Sequence, residues 1–507
     1  MSDSLHSGWR RERFGPFAGL SGWQAGAVLL VWLPPLPAIG RGRWESAAAL
    51  AAMSVLVTGL LVVPVRHRPA ILWLVEATVF LWARARGWST FRMGILQDGT
   101  AGDLTQPDLP GVAAGLRFHT GPPVGDCGSV CVIHNPAADT WAATARLTHP
   151  GLGNADAATR DGYAAQLGGL LAAAAAGEQI ARISIQVRTI PDDGARRAAW
   201  VADHDGPDNP AVPAAVRACS EQLETLMRTT SIRQELFVTI AAGEQRIRRA
   251  AKESGGGVAG RSRVLVRHLG EVEQQLRGLG VTEVAWLATS DLAATIRTGY
   301  NPADALPLQR AREEAARGLP TVLGPQLAAA GPVNAAPPAP RSYTHDAFTT
   351  ISYALLLPEL PTRVGSLTRL LAVTAPGERR TLSLHYEPLP ARRAARQVEH
   401  DVWASEISRD LRTKRGFRVS RRDHRRAVET ATHEAQLASG HTMVRVAGAA
   451  SLTVASHLDA EDHAATFEAD ARASGYTLLR LDLAQDTGFV AAALPLGVGL
   501  TAKETRT

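Results

Sequence analysis

The sequence predicts an α+β protein: an N-terminal transmembrane helical hairpin plus mixed α/β cytoplasmic domains. Three observations carry this. Two long uncharged apolar runs lie within residues 1–90, strand-like and helix-like runs alternate from Gly115 onward, and a Pro/Ala/Gly-rich stretch interrupts that alternation near residues 318–342.

Trp23 to Ile39 carries no charge, and Ala47 to Val65 adds a second uncharged run of nineteen residues. Both approach the roughly twenty residues that a hydrocarbon core demands. Spans are therefore expected over about 20–39 and 47–65. Pro34, Pro35 and Pro37 should break the first near its end, because proline donates no backbone hydrogen bond. Gly40 to Ser46 is long enough only for a tight turn, so the spans run antiparallel. Arg10, Arg11 and Arg13 before the hairpin and Arg66, Arg68, Arg84 and Arg86 after it outnumber Arg41 and Arg43 in the turn, which places both termini in the cytoplasm. Seven of the eleven tryptophans fall in this part, as expected of rings at the headgroup layer. Ala70 to Ala83 is apolar but short and ends in arginines, which suits a helix lying along the membrane surface.

Strands are expected at Gly115 to Thr120, Ser129 to His134 and Trp141 to Leu147, then a helix over Ala157 to Ala176 and a strand at Ile183 to Thr189. Helices follow over Ala214 to Met227, Arg263 to Leu279 and Asp291 to Tyr300, with a strand at Gln234 to Ala241. These make a first soluble region, 91–317, and residues 318–342 read as a linker. In the second region, 343–507, strands are expected at Ala347 to Leu357, Thr381 to Tyr386 and Thr442 to Ala455. Two charged helices over Ala391 to Arg412 and Arg421 to Ser439 lie between the last two. A helix at Leu458 to Ser474 and strands at Thr477 to Leu483 and Gly488 to Leu494 complete the pattern.

Charge and cysteine content exclude more than they assign. The net charge of +6 is small for 507 residues, and the basic residues are nearly all arginine, with lysine only at positions 252, 414 and 503. Cys127, Cys131 and Cys219 form no CxxC and lack histidines at zinc-finger spacing, so they read as reduced core thiols. No GxxxxGK[ST] phosphate loop, G-x-S-x-G elbow or HExxH pair occurs. Gly255-Gly256-Gly257 reads as a turn, and Pro191-Asp192-Asp193-Gly194 is turn chemistry more than an acid/base pair. His433, Glu434 and His441 are wrongly spaced for one zinc-binding helix face. The basic stretch Arg409 to Arg426 could attract nucleic acid, but Asp410 and Asp423 dilute it and only Phe417 could stack on a base. No catalytic, cofactor-binding or metal residue is assigned, and the chain is not expected to be an enzyme.

Certain segments resemble known ones. Arg13 to Pro16, the hairpin and the Trp/Arg-rich helix ending near Arg84 to Gly87 are similar to the small two-helix membrane subunit of an actinobacterial family associated with conjugation-type (type IV) secretion machinery. Ile183 to Gly194 (ISIQVRTIPDDG), the helical pair from Ala391 to Gly440, and Ala493 to Gly497 (ALPLG) resemble the non-motor N-terminal domain of the large secretion ATPase. The resemblance implies a docking subunit that meets a separate secretion ATPase, other membrane subunits and the lipid bilayer, with homo-oligomerisation open. The E component of type VII secretion has a similar layout and stands as the alternative. A membrane-tethered enzyme and a DNA-binding protein remain readings from other classes.

Overall fold

The computed structural model describes residues 22–65, 68–87, 90–94, 105–125, 127–153, 155–191, 213–230, 232–319, 326–358, 362, 365–373, 377–396 and 442–500. The chain divides into two compact units, one formed mainly by Ser89–Pro388 with Val444–Thr505, the other by Arg10–Trp88 with Leu389–Met443.

In the second unit the first apolar run is broken, as its prolines dictate. Helix α1 (Gly22–Val31) stops at a turn over residues 32–34, and the short α2 (Pro35–Gly40) begins with proline at its first position. The second run is a continuous helix, α3 (Trp44–Val62), followed by α4 (Ala70–Ala85). Gln24 Nε2 donates to the Leu61 carbonyl at 2.8 Å, and Ser54 Oγ donates to that of Val31, also at 2.8 Å. Opposite ends of α1 and α3 therefore meet, which makes the pair antiparallel. Each bond satisfies a polar group that would otherwise sit among aliphatic side chains.

The other unit is built on one antiparallel sheet of thirteen strands. In chain order these are β1 (Phe91–Arg92), β2 (Arg117–Val124), β3 (Cys127–Asn135), β4 (Thr140–Thr148), β5 (Ile180–Pro191), β6 (Ile232–Gly243), β7 (Glu283–Trp286), β8 (Asn334–Ala335), β9 (Tyr343–His345), β10 (Phe348–Leu356), β11 (Arg379–Pro388), β12 (Val444–Ala455) and β13 (Thr477–Arg480). The helices are α5 (Ala157–Ala176), α6 (Ala214–Thr230), α7 (Glu244–Glu253), α8 (Gly257–Gly278), α9 (Thr289–Tyr300), α10 (Ala305–Ala316), α11 (Thr368–Leu371), α12 (Ala460–Ala473) and α13 (Gln485–Ala493).

This order contains a duplication. Strands β4, β5, β6 and β7, with α5 and α8 as crossovers, lie in the sheet as β7-β4-β6-β5. Strands β10, β11, β12 and β13, with α11 and α12, lie as β13-β10-β12-β11. Each is a βαββαβ unit of the ferredoxin-like kind, closed by a further helix, α9 or α13. Each is also preceded by a strand, β3 or β9, on the edge that the last strand of the unit extends. The two repeats join through β5 and β11, where Ile185 faces Leu384 and Val187 faces Leu382. Pairing with the last strand of each unit starts at Ala145 in the first and Tyr353 in the second, which aligns these two residues and with them the rows Ala145–Val238–Ile185 and Tyr353–Ala450–Leu382. Gln186 and Ser383 are likewise counterparts and face each other, so an approximate two-fold axis passes between them.

Strand alternation sends Ala143, Ala145, Ile183, Val238 and Ile240 under α5, α7 and α8, and sends Ile351, Tyr353, Leu382, Ala450 and Leu452 under α11 and α12. The opposite face, beneath α9 and α13, mixes apolar residues such as Ala142, Phe237 and Ala449 with buried Thr144, Gln186, Arg188, Thr239, Ser383 and His385. Buried polar groups need partners. Here the helix ends and the C-terminal tail supply them: Gln186 Nε2 donates to Ala493 O and Ser383 Oγ to Ala492 O, both at 2.8 Å. Thr144 Oγ1 donates to Pro495 O at 2.7 Å.

Most expected elements occupy their expected residues, but two readings change. Gly488 to Leu494, expected as a strand, lies in helix α13 except for Leu494. A short apolar run has no periodicity to separate the two states, and burial on all sides erases any polar face. Within the expected linker, Leu327, Ala328 and Ala330 are buried and Asn334–Ala335 is a strand of the sheet. Small uncharged side chains that look like linker composition also pack closely. Regions 91–317 and 343–507 consequently share one sheet, and their boundary is that between the repeats. The charged helices expected over 391–412 and 421–439 lie outside the described residues beyond Arg396, up to which 391–396 is helical.

Candidate functional site

Two features stand out, one in each unit. In the helical unit, the side chains of Leu29, Leu30, Leu33, Met53, Val55 and Leu56 point outward, with Leu29 74% and Leu56 60% exposed. Exposed apolar side chains gathered on neighbouring helices mark a contact surface for protein or lipid. Among the described residues, α3 alone is long and apolar enough to cross a membrane, and α1 with α2 forms a shorter apolar segment. Arg84 and Arg86 close α4, and Arg86 stacks over the Trp82 ring at 4.6 Å.

In the sheet unit, charged residues gather on the face beneath α9. Arg146 projects from β4, Arg233 and Glu235 from β6, Thr295 and Thr298 from α9, and Arg312 from α10, lining a cleft of about 250 Å³. Arg188 on β5 lies behind it, fully buried, and donates to Glu235 Oε2 at 3.4 Å, Thr298 Oγ1 at 3.3 Å and Ala493 O at 2.9 Å. Arg233 pairs with Glu235 at 2.8 Å and Arg312 with Asp291 at 2.9 Å. Burial alone would raise the Glu235 carboxyl, but Arg188, Arg233 and Arg146 outweigh it and hold the group below its usual range. Arg146 itself is pushed down, chiefly by burial. Its hydrogen bond to Thr295 Oγ1 is long, at 3.5 Å, its guanidinium lies 5.7 Å from the Phe237 ring centre, and its buried Nε has no acceptor.

The positions singled out from sequence do not converge here. Gly255, Gly256 and Gly257 all have positive φ and make the turn between α7 and α8. Of the cysteines, Cys131 is buried, with its thiol pushed up to about 12 chiefly by burial, Cys127 is half-buried, and Cys219 is exposed on α6, so only one is a core thiol. Residues 192–194, the basic stretch 409–426 and the group 433, 434 and 441 lie outside the described residues. Among the described residues no group of three or more His, Cys, Asp or Glu side chains could hold a metal. Sequence reasoning missed the arginine cleft, although one signal was present. Arg146 and Arg188 interrupt otherwise uncharged strands (TWAATARLT, ISIQVRTI), where a charge requires a partner. Compared with known protein families and with curated proteins, the chain matches none.

Proposed function

We propose that this protein is a non-catalytic, membrane-anchored docking subunit of a conjugation or type IV-like secretion apparatus. In this reading its N-terminal helices cross the bilayer as a hairpin and its duplicated α+β domain offers a cytoplasmic surface to a separate ATPase. The observation that carries the reading is the outward-facing apolar surface of the antiparallel α1/α3 pair. At 1.5 Å per residue, the nineteen residues of α3 reach about 28 Å, close to the roughly 30 Å of a hydrocarbon core. Residues 22–40 match that length only if α1 and α2 continue one another across their proline break. Helix α4 then runs along the headgroups, with Arg84 and Arg86 in the phosphate layer.

Two measurements test the reading together. The full chain should stay in the membrane fraction after alkaline carbonate washing, and it should co-purify in detergent with the conjugation-type ATPase encoded nearby. Release by carbonate removes the anchor, and reproducible absence of any complex removes the docking role. Arginine placed at Leu56 should weaken membrane retention, since a charge at mid-span costs about 2.5–3.5 kcal/mol.

A further inference from the structure

We propose that the cleft between β4, β6, α9 and α10 is a binding site for a small phosphoanion of the size of inorganic phosphate or pyrophosphate. The first ground is charge. Arg146, Arg188, Arg233 and Arg312 surround the cleft or lie directly behind it, against two carboxylates among the described residues, Glu235 and Asp291. Both carboxylates are engaged, Glu235 by Arg188 and Arg233, Asp291 by Arg312. The surplus of two positive charges calls for a dianion, and guanidinium forks match phosphate oxygens geometrically. Arg146 is the member without a carboxylate contact, and its one long bond to Thr295 leaves donors for a ligand. Thr295 and Thr298 on the cleft wall donate their hydroxyls to the Asp291 and Ala294 carbonyls of α9, which leaves the arginines as the donors to the ligand.

The second ground is the duplication. By strand register the counterpart of Arg146 in the second repeat is Ala354, that of Glu235 is Ala447 and that of Arg188 is His385, while Arg233 keeps a basic counterpart in Arg445. Arg146, Arg188 and Glu235 are therefore absent from the same fold position about 200 residues further along the chain, in the same sheet, so the fold does not require them. Burying like charges opposes folding, and the pair of half-buried Arg146 and buried Arg188, present in one copy alone, points to a ligand that compensates them. Size is the third ground. Pockets for drug-sized ligands span about 300–1,000 Å³, and this cleft falls below that range, which suits a compact anion better than a whole nucleotide.

The test is isothermal titration of the full chain in detergent with inorganic pyrophosphate. Saturable binding at a single site is expected, weakened about ten- to a hundred-fold in Arg146→Gln and in Arg312→Gln, as loss of a charge-assisted hydrogen bond implies. Arg249→Gln, at an exposed position on α7, should bind as the wild type does. Arg312 is partly exposed, so its variant decides the matter if Arg146→Gln fails to fold. Absence of saturable binding, or binding unchanged in the cleft variants, overturns the proposal. So does tighter binding of ADP than of pyrophosphate, because it would contradict the size of the site.

Discussion

Arg182 and Arg379 occupy the same place in the two repeats, and each reaches into the other's closing segment. Arg182 Nη1 donates to the Gly497 carbonyl, beyond α13, at 3.1 Å, while Arg379 Nη1 and Nη2 donate to the Thr298 and Gly299 carbonyls of α9 at 2.7 and 2.5 Å. The last carbonyls of a helix have no partner within it, and cations are favoured there. The exchange ties the repeats together through their helix ends as well as through the β5–β11 ladder.

The two arginines should differ in weight. Arg379 is buried, whereas Arg182 is partly exposed and shares its charge with Glu387. Arg379→Met leaves two carbonyls without donors and should cost about 2 kcal/mol or more, with Arg182→Met costing less than half of that. Denaturant unfolding of the full chain in detergent measures both, and equal losses would contradict the asymmetry.

Acid should destabilise the sheet unit well before its carboxylates titrate. His345 and His385 are fully buried and held near 3, chiefly by burial, with Arg379 and Arg182 adding to the shift. Their folded values lie below the unfolded value of about 6.5, so the unfolded chain binds more protons and stability rises with pH. The contribution is complete above about pH 6.5 and declines as pH falls toward 3, by up to about 1.4 kcal/mol per pH unit for each histidine. Between pH 7.5 and 5.0 the melting temperature of the wild type should fall more steeply than that of a His345→Gln/His385→Gln variant. Parallel curves would refute this.

Two glycines in α8 should respond in opposite senses. A Cβ on Gly260 would collide with the Ala251 carbonyl of α7, whereas Gly270 is exposed with nothing within 4 Å of that position. Gly260→Ala should destabilise by about 1–3 kcal/mol. Gly270→Ala should stabilise by about 0.5–1 kcal/mol, because alanine loses less backbone freedom in a helix. Thermal melts of the two variants check the pair.

The cysteines give a chemical reading of the same architecture. Exposed Cys219 should react rapidly with a maleimide in the native protein, while Cys131, buried and with its thiol near 12, should react only after denaturation. Mass spectrometry of the labelled sites distinguishes them. Rapid native labelling of Cys131 would show that β3 is less well covered than its burial indicates.

Much of this fold was legible in the chain. The helix Ala157–Ala176 follows from periodicity, because it has a buried face and an exposed one, whereas the strands around Trp141 and Thr381 are buried on both faces and were legible as short runs bounded by turn residues. The duplication was not legible. Strands TWAATARLT and FTTISYALL share a place and a pattern but almost no residues, since a pleated position asks only for volume and polarity. The arginine cleft was hidden for a related reason: Arg146, Arg233 and Arg312 lie far apart in sequence and meet only when β6 lies beside β4 and α10 folds back beside α9.

The fused axis between Gln186 and Ser383 also sets what the molecule is able to vary. In a homodimer with the same geometry, every substitution would appear on both sides at once, and a charged recess near the axis would be present twice. Because both halves belong to a single polypeptide, Arg146 could arise opposite an unaltered Ala354, and the association of the halves cannot be diluted away. Symmetry supplied the scaffold, and covalent linkage left each half open to diverge alone.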